Sequence, residues 1–322
     1  MRRRALAVLL IGTAARAWAA DAFISNMRKA DSRAEADEKI EYYTRAIDAW
    51  APTHGNELLA YCRFRRGEAH YYQNELDRAE PDLSKAIELD PGNNRAYYYR
   101  GQLYLRQRRF DKAVRDLQEY SLAVKQAEGY WRLAEAYERA GNFLPAAKQY
   151  RQAQAADAED YRPILGLARL AAGQRKDSAA LEFFQQAEAL AGGHSAEVFA
   201  DKALFESRAA RHEDAIDDFG RAAAIFEERL SSLERSADGR PLEVFDQKSG
   251  LARTYFGRAQ SYEARGQPGP AQTDYQAACK LGLSAACAKA TSPRHQAVEV
   301  KQAPQKRYPK ANSDPGNRIY AN

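Results

Sequence analysis

The sequence contains few residues that could carry out catalysis or hold a metal ion. Its five histidines lie far apart, at positions 54, 70, 194, 212 and 295. None has a second candidate ligand three or four residues away on a helix in a pattern typical of a zinc site. The chain also lacks a G-x-G-x-x-G loop, a P-loop, an H-E-x-x-H helix and a G-x-S-x-G elbow. We therefore expect no catalytic residues, no cofactor and no metal site, and we interpret His70 as a packing residue.

The composition of the chain favours helices over strands. Alanine, glutamine, arginine and glutamate are abundant, and these residues favour helices. Runs of β-branched residues, which are typical of strands, are missing. A mean hydropathy of -0.69 is polar for a compact globule of 322 residues, but it suits a repeat array in which each unit contacts only its neighbours. The composition predicts an all-α protein.

The first twenty residues have the pattern of a secretory signal peptide. Three arginines at 2–4 precede an apolar stretch at 5–15, and the sequence A-W-A at 17–19 forms a cleavage motif. The apolar stretch is shorter than the roughly 20 residues that a transmembrane helix needs. The pattern predicts cleavage and a periplasmic or secreted protein without a transmembrane anchor. The alternative is a basic, apolar N-terminal helix that stays attached.

The positive charge of the chain lies at its two ends. The whole chain carries +5, but residues 1–19 contain four arginines and no acid, so cleavage leaves +1. Residues 291–322 contribute +4, from six basic residues against Glu299 and Asp314, which leaves -3 for residues 20–290. Because nucleic-acid binding requires a basic surface on the folded body, we expect no nucleic-acid partner.

A sequence pattern repeats along the chain with a period near 34. Each repeat has a small residue, then an alanine twelve positions later, then a bulky residue four positions after that. The small residues are Gly67, Gly101, Ala134, Ala168, Ala203 and Ala259, the alanines are Ala79, Ala113, Ala146, Ala180, Ala215 and Ala271, and the bulky residues are Leu83, Leu117, Tyr150, Phe184, Phe219 and Tyr275. The steps between successive repeats are 34, 33, 34, 35 and 56 residues.

This pattern resembles the tetratricopeptide repeat (TPR) family, whose unit is a helix–turn–helix. The resemblance implies a right-handed TPR-type α-solenoid, in which small residues let helices A and B of one unit cross closely. The family fold divides the chain into six segments. They are a signal peptide (1–20), a degenerate first repeat and linker (21–59), five TPR-like repeats (60–226), an elongated helix pair or insertion (227–248), a last repeat with a capping helix (249–290) and a disordered basic tail (291–322). A flexible hinge is the alternative interpretation of 227–248.

Two of the three cysteines lie eight positions apart at the end of the array. Cys279 and Cys287 resemble the cysteine pair of Sel1-like repeats, relatives of TPRs in which the two residues form a disulfide. The resemblance implies a disulfide here, which an oxidising compartment would permit. The alternative is a pair of unpaired buried thiols. We interpret Cys62 as a lone thiol on a helix A, with an intermolecular bridge as the lesser alternative.

In TPR proteins the partner usually binds a concave groove lined by helix A of each unit. Transferring the groove positions of the family to this sequence gives an aromatic and arginine-rich strip, which we call the A-helix face. Its members are Tyr61, Phe64, Arg65, Arg95, Tyr98, Tyr99, Arg106, Trp131, Arg132 and Arg139. Aromatic residues and arginine are enriched in binding hot spots. The alternative is that the rings fill the packing between repeats and the arginine stems cover them.

The resemblance implies a binding protein. The favoured function is an exported scaffold that mediates protein–protein interactions through a protein or peptide ligand in this groove, as an adaptor in the bacterial cell envelope. The alternative is a cell-wall or glycan-associated protein, in which Tyr and Trp stack on sugar rings and the basic tail contacts an anionic polymer. The sequence does not indicate the oligomeric state.

Overall fold

The computed structural model describes residues 22–236 and 240–291, and within them every regular element is a helix. The predicted signal peptide and all but the first residue of the predicted tail lie outside the described residues. The prediction of an all-α array is confirmed. No helix among the described residues is both long and apolar enough to cross a membrane.

Fifteen helices follow one another along the described chain. Their bounds are α1 (22–31), α2 (Ala36–Asp48), α3 (Asn56–Tyr72), α4 (Leu76–Leu89), α5 (Asn94–Arg106), α6 (Phe110–Val124), α7 (Ala127–Arg139), α8 (Phe143–Ala156), α9 (Tyr161–Gly173), α10 (Asp177–Leu190), α11 (Ala196–Arg208), α12 (His212–Arg235), α13 (Pro241–Ala264), α14 (Pro268–Lys280) and α15 (Ser284–Ala290). A short 3-10 helix, Pro52–His54, lies between α2 and α3.

Six helix pairs form the repeats, from α3–α4 to α13–α14. Each helix packs on the next, and α3 also contacts α5, α7 contacts α9, and α9 contacts α11. The predicted small, alanine and bulky columns are all buried in the core of their pairs. Gly101 shows why small residues are needed in this column, because a Cβ there would lie 2.7 Å from Cγ of Leu117 on α6. Gly257 shows the same need between neighbouring repeats, because its Cβ would lie 2.5 Å from Cζ of Phe219 on α12.

A recurring ion pair joins the two helices of four repeats. The basic residue precedes the small residue of helix A, and an aspartate lies sixteen positions later on helix B. The pairs are Arg66–Asp82, Arg100–Asp116, Lys202–Asp218 and Arg258–Asp274. In the third and fourth repeats the same positions hold Leu133 with Gln149 and Leu167 with Phe183. This column of ion pairs is regularly spaced but is not part of the predicted pattern.

The turn between helices A and B contains one residue with a left-handed backbone in every repeat. Glycine occupies it at Gly141 and Gly266, with φ of 80° and 68°. The other four repeats place a residue with a side chain there, namely Asn74, Arg108, Arg175 and Ala210, with φ between 57° and 62°. Left-handed backbone is costly for residues other than glycine, so these four turns are strained.

The last two repeats differ from the others in the length of α12 and α13 and in the helix that covers the end of the array. Helices α12 and α13 have 24 residues each, whereas α3 to α11 have 13 to 17. The far end of the array is covered by α15, which packs on α14. Cys279 of α14 and Cys287 of α15 form a disulfide with Cα atoms 4.7 Å apart. Cys62 is a free thiol and is buried.

Candidate functional site

The A-helix face is formed by α3, α5 and α7. Its residues recur three and four positions apart on each helix, so they lie on one side of it. On α3 this side carries Tyr61, Arg65 and Glu68. On α5 it carries Tyr98, Gln102 and Arg106, and on α7 it carries Trp131, Arg132, Glu135 and Arg139.

A buried carboxylate fixes the arginines at the start of this face. Glu68 is buried and accepts hydrogen bonds from Arg65 on its own helix and from Nη2 of Arg95 on α5, at 2.7 Å. The Arg95 guanidinium lies 5.3 Å from the centre of the Phe64 ring and 5.9 Å from that of Tyr99. Arg95 is therefore exposed but held in place by one carboxylate and two rings.

Three tyrosines form the apolar floor between α3 and α5. The Tyr71 and Tyr99 rings meet edge to face at 5.4 Å, and the hydroxyls of Tyr72 and Tyr99 are 3.0 Å apart. Burial raises the pKa of Tyr71 and of Tyr99 above the ordinary value. Because these hydroxyls stay protonated at neutral pH, each can donate or accept a hydrogen bond.

The α7 part of the face is mostly core. Trp131 is only 8% exposed, and its ring belongs to the cluster of buried residues that contains Tyr150 and Leu167. The guanidinium groups of Arg132 and Arg162 lie 3.9 and 4.6 Å from the Trp131 ring centre and cover it. Trp131 therefore supports the packing of two repeats, and Arg132 is the side chain that can reach a ligand.

Three buried nitrogen atoms on this face have no hydrogen-bond acceptor among the described residues. They are Nε2 of Gln102, Nε1 of Trp131 and Nε of Arg132. All three atoms are donors, and a buried donor without an acceptor is costly. Because these atoms are buried, a ligand can bond to them only after neighbouring side chains move. The donors of this face that a ligand with oxygen acceptors can reach directly belong to the exposed Arg95 and Arg139 and the partly buried Arg132.

The N-terminal end of α13 contacts this face from the far side of the array. Nη1 and Nη2 of Arg106 donate to the two carboxylate oxygens of Asp246, at 2.8 and 2.6 Å. Leu242, one turn before Asp246, is 3% exposed and belongs to the same buried cluster as Tyr71 and Tyr99. The Arg240 guanidinium lies 5.5 Å from the centre of the Tyr72 ring. Part of the predicted groove is thus covered by the chain itself.

A cavity of about 390 Å³ remains open beside this contact. It lies between α2, α3 and the start of α13, and its lining includes Lys39, Arg65, Tyr72, Arg240 and Pro241. Glu35 and Glu68 also line it, so its walls carry both basic and acidic groups beside the Tyr72 ring. Arg65 is paired with Glu68 and also lies 3.4 Å from the hydroxyl of Tyr43.

The predicted strip residues differ in how far the structure leaves them accessible. Three of them, Tyr61, Arg95 and Arg139, are exposed. Four are partly buried: Arg65, Tyr98, Arg106 and Arg132. The remaining three, Phe64, Tyr99 and Trp131, are buried. For these three, the packing interpretation describes their surroundings better than the groove interpretation does.

The structure adds contributors to the face that the sequence analysis did not assign to it. They are Leu242 and Asp246, from the segment interpreted only as an elongated helix pair or a hinge. The one signal in the sequence was the excess of 22 residues in the last step between repeats. That excess predicts extra helix length, but it does not predict what the extra length contacts.

No catalytic or metal centre emerges from the described parts of the chain. They contain no group of three or more His, Cys, Asp or Glu side chains that could hold a metal ion. His70 is buried, with Nδ1 2.7 Å from a carboxylate oxygen of Glu75, at the turn between α3 and α4. Burial raises the pKa of the Cys62 thiol to about 12, so it is protonated at neutral pH and a poor nucleophile.

Comparisons with known proteins agree with this architecture. Residues 64–130 match the tetratricopeptide repeat family. A crystal structure of a tetratricopeptide repeat protein from Parabacteroides merdae superposes with a TM-score of 0.63 over 84% of this chain and 96% of that one, at 16% identity. The fold is a TPR-type α-solenoid.

Two further matches of the TPR array are partial. The crystal structure of the APC/C hetero-tetramer Cut9–Hcn1 superposes with a TM-score of 0.55 at 16% identity, over 82% of this chain and 54% of that one. Sperm-associated antigen 1 of Mus musculus is 36% identical over 83 residues, which is 26% of this chain and 8% of that protein. The matched segment thus spans less than a tenth of that relative.

Proposed function

We propose that the protein is an exported TPR scaffold that binds a protein partner on its A-helix face and acts as an adaptor in the bacterial cell envelope. The observation that carries this proposal is the set of arginines held over aromatic rings on α3, α5 and α7. Such a surface suits a peptide or helix with carboxylates and free main-chain carbonyls, because arginine binds carboxylates with two parallel hydrogen bonds.

The preorganisation of this surface favours binding. Arg95 and Arg132 already lie against rings, so a ligand that contacts them does not have to order flexible side chains. Both positions also keep a charged group accessible at the rim of a buried aromatic cluster. This combination of a fixed cation and an apolar floor is typical of binding hot spots.

Export is supported by two independent features of the chain. The first is the signal-peptide pattern in residues 1–20, and the second is the disulfide between Cys279 and Cys287. Disulfides persist in oxidising compartments and are rare in the cytosol. The N-terminal sequence of protein purified from periplasmic extract tests this part, and we expect it to start at Ala20. A product that retains the leader, or that is found only in the cytosol, would refute export.

Binding on the A-helix face can be tested with a charge-reversal variant. We expect Arg95→Glu combined with Arg139→Glu to abolish recovery of the partner when the tagged mature protein is purified from periplasmic extract. Both side chains are at least half exposed, at 62% and 50%, and Arg65 still pairs with Glu68 when Arg95 is replaced. Because the new glutamate lies beside the buried Glu68 carboxylate, the folding of the variant is checked by circular dichroism. Trp131→Ala is a poor probe because it would remove a buried ring, at a cost of about 3–5 kcal/mol.

The matched control is Arg78→Glu. Arg78 is also exposed and pairs with a nearby glutamate, Glu75. It lies on α4, however, which is a helix B. The control should recover the partner as the wild-type protein does. Recovery of the same proteins by the Arg95→Glu, Arg139→Glu variant, with an unchanged helical circular dichroism signal, would refute binding on this face.

A further inference from the structure

The start of α13 and the residue before it, residues 240–248, form a segment that we call the tip. We infer that the tip occupies the partner site as an internal ligand, and that the partner is a helix with the same chemistry, namely an apolar side chain followed four residues later by a carboxylate. This inference rests on the proposed function of the A-helix face. It adds a class of ligand and a competition between that ligand and the chain itself.

The polar half of the recognition is the contact between Arg106 and Asp246. Both terminal nitrogens of Arg106 donate to the carboxylate, and its Nε lies 3.3 Å from the hydroxyl of Tyr71. The planar guanidinium is thus oriented from behind by α3 while its fork faces the carboxylate. A fork fixed in this way selects a carboxylate at one position and in one orientation.

The apolar half is Leu242. It lies four residues before Asp246, so both side chains are on the same side of α13. Leu242 is buried and belongs to the apolar cluster that also contains Tyr71 of α3 and Tyr99 of α5, whereas the larger Phe245 is 54% exposed on another side of the helix. The face of the tip that the array buries therefore carries a leucine and, four residues later, an aspartate. The Phe245 ring lies outside this face.

The tip contact has the properties of a contact that a partner could replace. The Asp246 side chain keeps 42% of its exposure, and the residues that pair are separated by 140 positions. A half-exposed ion pair contributes little to stability. A partner helix that supplies the same two side chains forms equivalent contacts, and because it also loses freedom of motion on binding, it displaces the tip through additional contacts with the A-helix face.

We call the arrangement in which the tip lies on the A-helix face the closed state. It can be tested by hydrogen exchange in the full-length mature protein. We expect Arg106→Asp and Asp246→Arg each to speed exchange of the amides of residues 242–248 by about tenfold, since each breaks the ion pair and places like charges together. The double variant that swaps the two charges should return exchange close to the wild-type rate.

The matched control is Glu234→Gln. Glu234 pairs with Lys248, so this change removes an ion pair within the α12–α13 hairpin and not one between the hairpin and the A-helix face. Exchange of residues 242–248 should stay close to the wild-type rate. Single variants that exchange like the wild type, or a charge swap that restores nothing, would overturn the closed state.

The ligand class can be tested with a labelled, helix-stabilised peptide that copies residues 240–250. We expect it to bind the Asp246→Arg protein at least about tenfold more tightly than the wild type, because the tip no longer competes for Arg106. The same peptide with Asp246→Arg should reverse the preference and bind the Arg106→Asp protein. Equal binding of both peptides to both proteins, or binding to neither, would overturn the ligand class.

These outcomes are separable from the test of the proposed function. If the peptides show no charge preference but the partner is still lost from the Arg95→Glu, Arg139→Glu protein, the face binds a ligand of another class. If the peptides behave as expected but that variant still recovers the partner, the tip site exists and the partner binds elsewhere.

Discussion

The two halves of α13 make contacts of different kinds. Its C-terminal half is an ordinary helix A, with Gly257 against Phe219 and Arg258 bonded to Asp274 through two nitrogens at 2.7 and 2.8 Å. Its N-terminal half leaves the repeat and reaches α3 and α5 through Leu242 and Asp246. One helix therefore belongs to the last repeat at one end and to the first repeats at the other.

The ion pairs of the two halves differ in the length of chain between their residues and in their exposure to solvent. Arg258 and Asp274 are 16 residues apart, as in three other repeats, whereas Arg106 and Asp246 are 140 apart and their contact occurs once. The chain between Arg106 and Asp246 consists of folded repeats, so this contact depends on the geometry of all of them, whereas Arg258 and Asp274 lie on adjacent helices of one repeat. The Arg106–Asp246 contact is also the more exposed of the two, and it is therefore the weaker.

The largest expected effect comes from a comparison of two aspartate substitutions, each of which breaks the ion pair of one half of α13. Asp274→Ala should lower the free energy of unfolding by about 3 kcal/mol, because it leaves Arg258 partly buried without its partner. Asp246→Ala should lower it by less than about 1 kcal/mol. The reason is burial, since the Asp274 side chain is 6% exposed and that of Asp246 is 42% exposed.

Urea unfolding monitored by circular dichroism measures both values. Lys248→Ala is a control, because it removes only an exposed ion pair with Glu234 and should change little. Equal losses for the two aspartate variants would mean that the tip is as firmly held as the repeat, which would contradict the distinction between the two halves.

The next effect concerns how the C-terminal half of α13 packs on the preceding repeat. Gly257→Ala should cost about 2 kcal/mol, since its Cβ would lie 2.5 Å from a ring atom of Phe219, which is 1% exposed and cannot move aside. Gly220→Ala in the partner helix α12 should instead be neutral or stabilising by up to about 1 kcal/mol. There the nearest atom is Nη1 of Arg258, at 3.7 Å.

Thermal unfolding of the two glycine variants distinguishes close packing from helix propensity. Both changes add one methyl group to a helix at the contact between α12 and α13, so a difference between them reports the contact with the Phe219 ring. If Gly257→Ala were as stable as Gly220→Ala, the close approach of α12 and α13 would be refuted.

The smallest effect depends on pH and arises beside the C-terminal half of α13. Glu206 of α11 is buried, and this burial, reinforced by the Asp218 carboxylate, raises its pKa to about 7. Because the folded pKa exceeds the ordinary value of about 4.5, the stabilising contribution of the protonated acid is fully present below pH 4.5. That contribution is lost as pH rises through about 7.

Glu206→Gln should therefore raise the free energy of unfolding by about 1–2 kcal/mol at pH 8 and have little effect at pH 4. Melting temperatures of the variant and the wild type across this range measure the difference. Asp217→Asn is the control, because Asp217 is on the exposed side of α12. A gain from Glu206→Gln that is the same at both pH values would contradict the raised pKa.

The repeat pattern predicted most of the fold because it reports local packing. Ala79, Leu83 and their equivalents are buried in every unit, and Gly141 and Gly266 have the left-handed backbone of the turn. The ion-pair column of Arg66–Asp82 was also open to prediction, since each member directly precedes a residue already in the pattern. The left-handed Arg108 and Ala210 were not, because their side chains do not favour that backbone.

The candidate site was less predictable from the sequence. Family positions identified Arg95, Tyr99 and Arg106 as members of one face, but not that Tyr99 is buried while Arg95 is exposed. The contact of Arg106 with Asp246 depends on the rotation accumulated over the repeats between α5 and α13. No local sequence pattern encodes this accumulated rotation, so the contact between Arg106 and Asp246 could not be predicted from the sequence.

The same contact has a mechanical consequence. A simple solenoid extends like a spring when its ends are pulled, because each unit is held only by its neighbours. Here α13 bridges back to α3 and α5, so tension applied between the first and last repeats would load the Arg106–Asp246 link before it separates any helix pair. The array would resist small extensions as a closed frame and become compliant only after this link has ruptured.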